Sequence, residues 1–177
     1  MEIMGNKSKI NIVLVIITLC TISLSATIIS CGKRKDVIGY VEKVKICPGQ
    51  LMIRAKLDTG AKISSIDAQN INTLKRGAER WVQFSVNNHD GEVIHLERKI
   101  LRTIKIKRKK LKPQERLVVS FGICLKNTYK EVEVNLIDRD NFNHQMLIGR
   151  NFLNHDFIID PSSTFTTISH CDEEDNL

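Results

Sequence analysis

The sequence lacks the motifs that most directly indicate a metal or nucleotide site. It has no Cys-x-x-Cys pair, no His-Glu-x-x-His segment and no Gly-x-x-x-x-Gly-Lys-Ser/Thr loop. The first two provide closely spaced zinc ligands, and the third provides the backbone that surrounds nucleotide phosphates. The five histidines are also scattered along the chain. We therefore predict neither a bound metal ion nor any other cofactor.

Aromatic residues make up only 5% of the chain, and none of them lies within its most basic segment, residues 99–112. Aromatic side chains between basic ones are typical of single-stranded nucleic-acid sites, and no nucleic-acid module accompanies this segment. A solvated basic loop or an edge strand protected by lysines explains the charges better. Binding of nucleic acid or of an anionic membrane through Lys105–Lys112 is the weaker alternative.

The composition is otherwise that of one folded domain. The 177 residues are 42% apolar and 27% charged, with a formal net charge of +7. A chain of this length buries a core without needing disulfides or metals. We find no internal repeat, low-complexity tract or second domain.

The amino terminus predicts export and a lipid anchor. Lys7 and Lys9 precede an uncharged stretch over residues 10–32, which ends in Ile28-Ile29-Ser30-Cys31 and resembles a bacterial lipobox. We predict a lipoprotein signal peptide over residues 1–30, lipidation of Cys31 and a basic tether over 31–36. An uncleaved membrane helix is the alternative. Either places the domain in the bacterial cell envelope, and Gly32 after the cysteine favours the outer membrane of a Gram-negative cell.

Three cysteines, Cys47, Cys124 and Cys171, remain after the signal peptide and the lipidated cysteine are set aside. Because three is an odd number, at most one pair can form within the chain. Their spacing does not identify which pair that is. Loss of residues 1–30 also lowers the net charge from +7 to +6, since two lysines and one glutamate leave with them.

Short apolar or alternating runs predict strands rather than long helices. The predicted strands cover residues 37–46, 51–57, 81–86, 92–100, 117–125, 131–137, 146–148 and 157–160. Turn residues at 47–50 and 87–91 predict two hairpins, and only 150–155 favours a helix. The pattern indicates an all-β barrel or sandwich over residues 37–168, followed by an acidic tail over 169–177.

One acid in this pattern could do chemistry. Asp58-Thr59-Gly60 directly follows the strand 51–57. Peptide hydrolysis by carboxylates needs two of them within hydrogen-bonding distance and sharing one proton, so that one acts as base toward water. A chain with a single Asp-Thr-Gly would hold half of such a site, and two chains would hold a whole one. The alternative is that Asp58 only closes a turn.

Leu57-Asp58-Thr59-Gly60-Ala61, followed downstream by Leu147-Ile148-Gly149-Arg150-Asn151-Phe152-Leu153, resembles the two signature segments of retropepsin-like aspartic peptidases. The wider match, over residues 37–165, is similar to the bacterial family known as ATP-dependent zinc proteases. The resemblance implies a closed retropepsin-like β-barrel with one short helix after the Leu-Ile-Gly-Arg segment. It also implies a homodimer that cleaves peptide or protein substrates.

The resemblance further implies a role for each matching residue. Asp58 would be the catalytic carboxylate and would meet its copy in the partner around one water. Thr59, Gly60 and Ala61 would form the active loop. The support beneath that loop would come from Leu147, Ile148, Gly149 and Arg150. The hairpin turn at Asp90-Gly91 would be a flap that closes over substrate.

Lys62 departs from the retroviral pattern, which has an acid at this position to bind the arginine of the second segment. Arg150 therefore needs another partner, for which Asp67, Asp138 and Asp160 are candidates. The predicted function is a lipid-anchored homodimeric aspartic endopeptidase. The alternative is a catalytically inactive lipoprotein that keeps the barrel as a binding or scaffold module.

Overall fold

A computed structural model of the chain describes residues 34–108, 111–138 and 143–171. Every element described below lies in one unit of the chain, Lys35–Leu177. The predicted signal peptide, Cys31, the acidic residues from Asp172 onward, and Lys109 and Lys110 lie outside the described residues. Within these ranges, no helix is both long enough and apolar enough to span a membrane.

The described chain is almost entirely β-structure. Its strands are β1 (Asp36–Cys47), β2 (Leu51–Leu57), β3 (Ser64–Asp67), β4 (Gln69–Arg76), β5 (Glu79–Asn87), β6 (Val93–Lys99), β7 (Arg102–Arg108), β8 (Leu111–Leu125), β9 (Thr128–Ile137), β10 (Met146–Ile148) and β11 (Phe157–Thr164). One short helix, α1 (Arg150–Leu153), follows β10.

Six of the strands close into a barrel, in the order β1-β2-β10-β3-β9-β8. The barrel closes where Lys45–Cys47 of β1 pairs antiparallel with Gly122–Cys124 of β8. Strand β11 adds to β1 in parallel, and β7 adds to β8 as an edge strand. The predicted all-β closed barrel with one short helix is confirmed.

A separate three-stranded sheet, β4-β5-β6, packs on this barrel. Val82, Phe84 and Val86 alternate along β5 and are buried in the same core as the barrel residues. The Phe84 ring lies 6.1 Å from the ring of Phe121 on β8. The hairpin predicted around residues 87–91 is therefore present, and its inward face completes the core.

The helix is shorter than the predicted 150–155. It ends at Leu153, and Asn154 caps it by donating its N–H to the carbonyl of Arg150. His155 then adopts a positive φ of 75°. This reversal brings Phe157 into β11, where its ring stacks on Phe152 at 5.9 Å. Because the two rings pack together, the helix ends two residues earlier than predicted.

The segment after β11 is bound to the barrel by a buried carboxylate. Glu42 on β1 is fully buried, and its oxygens accept hydrogen bonds from the backbone N–H groups of Gly39, Thr166 and Thr167 at 2.9, 2.9 and 3.2 Å. Hydrogen bonds to a charged acceptor are stronger than those between neutral groups. Residues 166–167 are consequently held against β1.

Cys124 and Cys171 form the one disulfide of the described residues, with their Cα atoms 6.0 Å apart. It fixes the last described residue to β8, and Ser169 also donates its hydroxyl to the carbonyl of Lys43. Cys47 is buried and free. Burial raises the pKa of its thiol, against a smaller lowering by Lys45, so the thiol is a poor nucleophile at neutral pH.

Candidate active site

Asp58 directly follows the last residue of β2 and begins the loop 58–61. Its Oδ1 accepts hydrogen bonds from the N–H groups of Gly60 at 2.9 Å and Ala61 at 3.3 Å. This is the Asx-type bond of a turn residue. Among the described residues no hydrogen bond reaches Oδ2, so the same carboxylate keeps one oxygen for another partner. Thr59 and Gly60 are exposed.

The second signature segment lies directly beneath this loop. Strand β10 pairs in parallel with β2, with Leu147 opposite Lys56 and Ile148 opposite Leu57. The N–H of Asp58 continues the ladder by donating to the carbonyl of Ile148 at 2.8 Å. The two motifs, about ninety residues apart in sequence, are therefore neighbours joined through their backbones.

Gly149 lies where two stretches of backbone touch. A Cβ on this residue would be 2.7 Å from the carbonyl carbon of Ile63 and 3.1 Å from the carbonyl oxygen of Ala61. Its N–H donates to the hydroxyl of Ser64 at 3.0 Å. Glycine is needed here because of this close approach, since only a residue without Cβ fits the gap.

Arg150 binds the active loop itself rather than Asp67, Asp138 or Asp160, the partners that the sequence suggested. Its guanidinium Nη1 donates to the carbonyl oxygens of Thr59 at 2.9 Å and Gly60 at 2.7 Å. Its backbone N–H donates to the carbonyl of Ala61 at 2.9 Å. The arginine thus needs no acid at the position of Lys62.

Lys62 contributes to a different electrostatic cluster. Arg102 forms a two-bond ion pair with Glu133, at 2.6 and 3.1 Å, and this contact lowers the pKa of the Glu133 carboxyl. The charge of Lys62 lowers that pKa further. The cluster lies on the exterior of the barrel, where solvent screens such pairs strongly.

Two asparagines, Asn151 and Asn135, for which the sequence motifs implied no individual role, hold the loop from below. The Asn151 Oδ1 accepts hydrogen bonds from both the N–H and the hydroxyl of Ser64, each at 3.0 Å. The Asn151 Nδ2 donates to the carbonyl of Glu133, and the Asn135 Nδ2 donates to the carbonyl of Ser64, each at 2.8 Å. The sequence did contain one signal, the polar Asn135 within the apolar run of β9. An amide at such a position is buried and requires hydrogen-bond partners.

The predicted flap turn at Asp90-Gly91 lies between β5 and β6. It borders a hollow of about 530 Å³ whose other walls include Met52–Arg54 of β2. None of the residues lining that hollow belongs to the loop 58–61. Arg54 precedes Asp58 by four residues, a span of about 13 Å along a strand. A flap role for this turn remains a prediction.

The loop 58–61 is also absent from the walls of two further hollows, of about 510 and 580 Å³. Within the described residues, no group of three His, Cys, Asp or Glu side chains is arranged to hold a metal ion. Partly buried Asp58 and its exposed neighbours Thr59 and Gly60 therefore lie outside these three hollows.

Comparison with known proteins places this geometry in a family. The model for the RimB-like family, described as retropepsin-like aspartic endopeptidase RimB, matches residues 37–170. The chain belongs to the RimB-like family. The match begins at the second residue of β1 and includes both the Asp58 loop and the segment over β10 and α1. It thereby confirms the suspected retropepsin-like relationship.

Sequence similar to this chain also occurs within longer proteins. The chain is 34% identical over 116 residues to a probable alpha-L-glutamate ligase of Shewanella pealeana, covering 64% of this chain and 25% of the relative. A protein of the same name from Parasynechococcus marenigrum is 29% identical over 136 residues, covering 74% and 29%. The chain thus spans about a quarter of the length of the curated relatives that it matches.

A solved structure shares the fold. The crystal structure of Lpg0085, a Legionella pneumophila protein of unknown function, superposes with a TM-score of 0.66 at 32% identity. The alignment covers 76% of this chain and all of that protein. The RimB-like barrel described here is therefore also seen by experiment in a related chain.

We predict that Gly149→Ala lowers the free energy of unfolding by about 3 kcal/mol, because the added methyl meets backbone atoms that no rotamer change can move. Urea denaturation measures the loss. Gly77→Ala is the matched control. Its added methyl meets nothing within 4 Å, so its cost of about 1 kcal/mol comes only from the positive φ. Equal losses in the two variants would contradict the close-packing argument.

Proposed function

We propose that this RimB-like protein is a lipid-anchored aspartic endopeptidase that acts as a homodimer. The observation that carries the proposal is the Asp58 carboxylate, which is held by its Oδ1 in an exposed loop while Oδ2 has no hydrogen bond among the described residues. Such a carboxylate is fixed in direction and can still bind a water.

The chemistry requires a second carboxylate. Two Asp58 side chains that share one proton cannot both ionise, so one acts as base toward water and the other polarises the substrate carbonyl. For such a pair we expect an acidic, bell-shaped dependence of rate on pH. Exposure of Thr59 and Gly60 supports this arrangement, since the two loops must meet face to face.

An exposed apolar pair supports a contact surface at the same end of the barrel. Val37 and Ile158 are partners across β1 and β11, and they are 64% and 51% exposed. Val41, further along β1, pairs with Lys56, which precedes Asp58 by two residues. The first residues of β1 and the Asp58 loop therefore lie near each other, and burial of Val37 and Ile158 in a dimer would stabilise it.

The substrate is a peptide or protein. Because the curated relatives are named probable alpha-L-glutamate ligases and this chain is basic, glutamate-containing peptides belong in the first substrate panel. If the chain hydrolyses only peptides without glutamate, the names of its relatives do not indicate its substrate.

We predict that Asp58→Asn lowers turnover by three or more orders of magnitude, roughly the effect expected when a central catalytic group is removed. Asparagine keeps the turn acceptor, so the variant should fold. Mixing equal amounts of wild type and variant should leave about one quarter of the dimers active if subunits exchange freely. Exposed Glu131→Gln serves as the control. Activity proportional to the wild-type fraction would contradict a site shared between two chains.

We predict that Val37→Asp weakens association by about 100-fold or more, because a carboxylate would be buried without a partner. Analytical ultracentrifugation measures the association, and turnover should fall with it. Val93→Asp is matched in residue type and, at 53% exposed, should change neither. A Val37→Asp protein that is fully dimeric would rule out this surface.

The turn bond of Asp58 is also consistent with the second function, an inactive binding or scaffold module. Oδ1 already accepts two N–H groups, which is sufficient reason for an aspartate in a turn. A protein that stays monomeric and cleaves no peptide of the panel would favour this function.

We also propose attachment through lipidated Cys31 to the bacterial envelope, with the outer membrane favoured in a Gram-negative cell. The Cys124–Cys171 disulfide supports an oxidising compartment. In cells, Cys31→Ser should move the protein from the membrane fraction to the soluble fraction and abolish incorporation of labelled fatty acid. Retention of Cys31→Ser in the membrane would contradict the lipid anchor.

A further inference from the structure

The hollow of about 530 Å³ beside the β5–β6 turn has the features of a ligand site and is separate from Asp58. Its floor is the outer face of β1 and β2, with Lys43 and Met52–Arg54. One wall is the turn Asn88–Glu92, and the other is Thr167 with Ile168. Its volume is in the range of small-molecule pockets.

Two cations lie opposite each other on this floor. Lys43 and Arg54 are direct partners across β1 and β2, which places their side chains on the same face with Cβ atoms about 5 Å apart. Like charges in this arrangement are destabilising. Among the described residues, no carboxylate lies within ion-pair distance of either cation. An anion between them would remove the repulsion.

Both cations keep their hydrogen-bond donors. The Arg54 guanidinium lies over the ring of Phe165 at 5.9 Å, a contact that leaves its N–H groups in the plane of the guanidinium. Neither the guanidinium of Arg54 nor the ammonium of Lys43 donates a hydrogen bond to any described residue. The floor therefore offers a planar fork and a point charge, which together suit phosphate or carboxylate oxygens.

The walls are held in place before any ligand binds. Buried Asn88 accepts hydrogen bonds from the N–H groups of Asp90 and Glu92 at 3.0 and 2.9 Å, and its Nδ2 donates to the Glu92 carboxylate at 2.6 Å. The opposite wall is fixed by the bonds from Thr167 to buried Glu42. A preformed site loses less entropy on binding than a mobile one.

We propose that this hollow binds a small organic anion with an apolar substituent. Its phosphate or carboxylate head lies between Lys43 and Arg54. Its apolar part contacts Met52 and Ile168, and Ile168 is otherwise 71% exposed. The carboxylates of Asp90 and Glu92 also line the hollow and oppose further negative charge, so a single phosphate or carboxylate head on one short chain fits better than a polyanion.

The test is isothermal titration of the purified full chain with hexyl phosphate, with inorganic phosphate and hexanol as separate probes. We expect saturable binding of hexyl phosphate that is at least about tenfold tighter than binding of either fragment, because head and chain each contribute. Absence of saturable binding, or inorganic phosphate binding as tightly as hexyl phosphate, would overturn the proposal.

Variants locate the site. Lys43→Gln and Arg54→Gln should each weaken hexyl phosphate binding about tenfold or more, whereas Asp90→Asn should tighten it a few fold. Lys56→Gln is the matched control, since Lys56 lies on the same face of β2 but outside the hollow. Lys43→Gln also relieves a repulsion, so its melting temperature should not fall. Equal weakening by Lys56→Gln would indicate nonspecific charge and refute the site.

Discussion

The architecture of the candidate site depends on one backbone contact, the approach of Gly149 to Ile63 and Ala61. No side chain separates the two segments there, so hydrogen bonds connect them on both sides of the glycine. Asp58 donates to Ile148 before it, and Arg150 donates to Ala61 after it. The direction of the Asp58 carboxylate is thus set by backbone geometry, which is stiffer than a side-chain contact.

The loop is held by hydrogen bonds to neutral side chains and backbone carbonyls rather than by ion pairs. Arg150 binds the carbonyls of Thr59 and Gly60, and Asn151 with Ser64 satisfies the buried polar groups below. This explains how the loop tolerates Lys62. An acid at that position is one way to bind the arginine, and the carbonyls of the loop are another.

Much of the fold was predictable because strand alternation and turn residues are local signals. The runs 37–46 and 51–57, with their turn, became β1 and β2 almost unchanged, and Gly49 has the positive φ that its turn requires. Strands β3 and β4 were missed. Ser64 and Ser65 are buried by long-range contacts, and β4 is mostly exposed on both faces, so neither shows the alternation of a half-buried strand.

By itself the sequence determined the all-β class, the two signature segments and the aspartate with its potential for chemistry, since each is a matter of residue type and local order. Tertiary structure decided which partners those residues meet. In the folded chain Cys124 is bonded to Cys171 and not to Cys47, and Arg150 binds backbone carbonyls rather than a carboxylate. Lys43 is also paired with Arg54 across β1 and β2. The reason is physical. The alternation of apolar and polar residues along a strand indicates which face a side chain occupies, whereas its neighbours across a closed barrel depend on the register and on which strands pair.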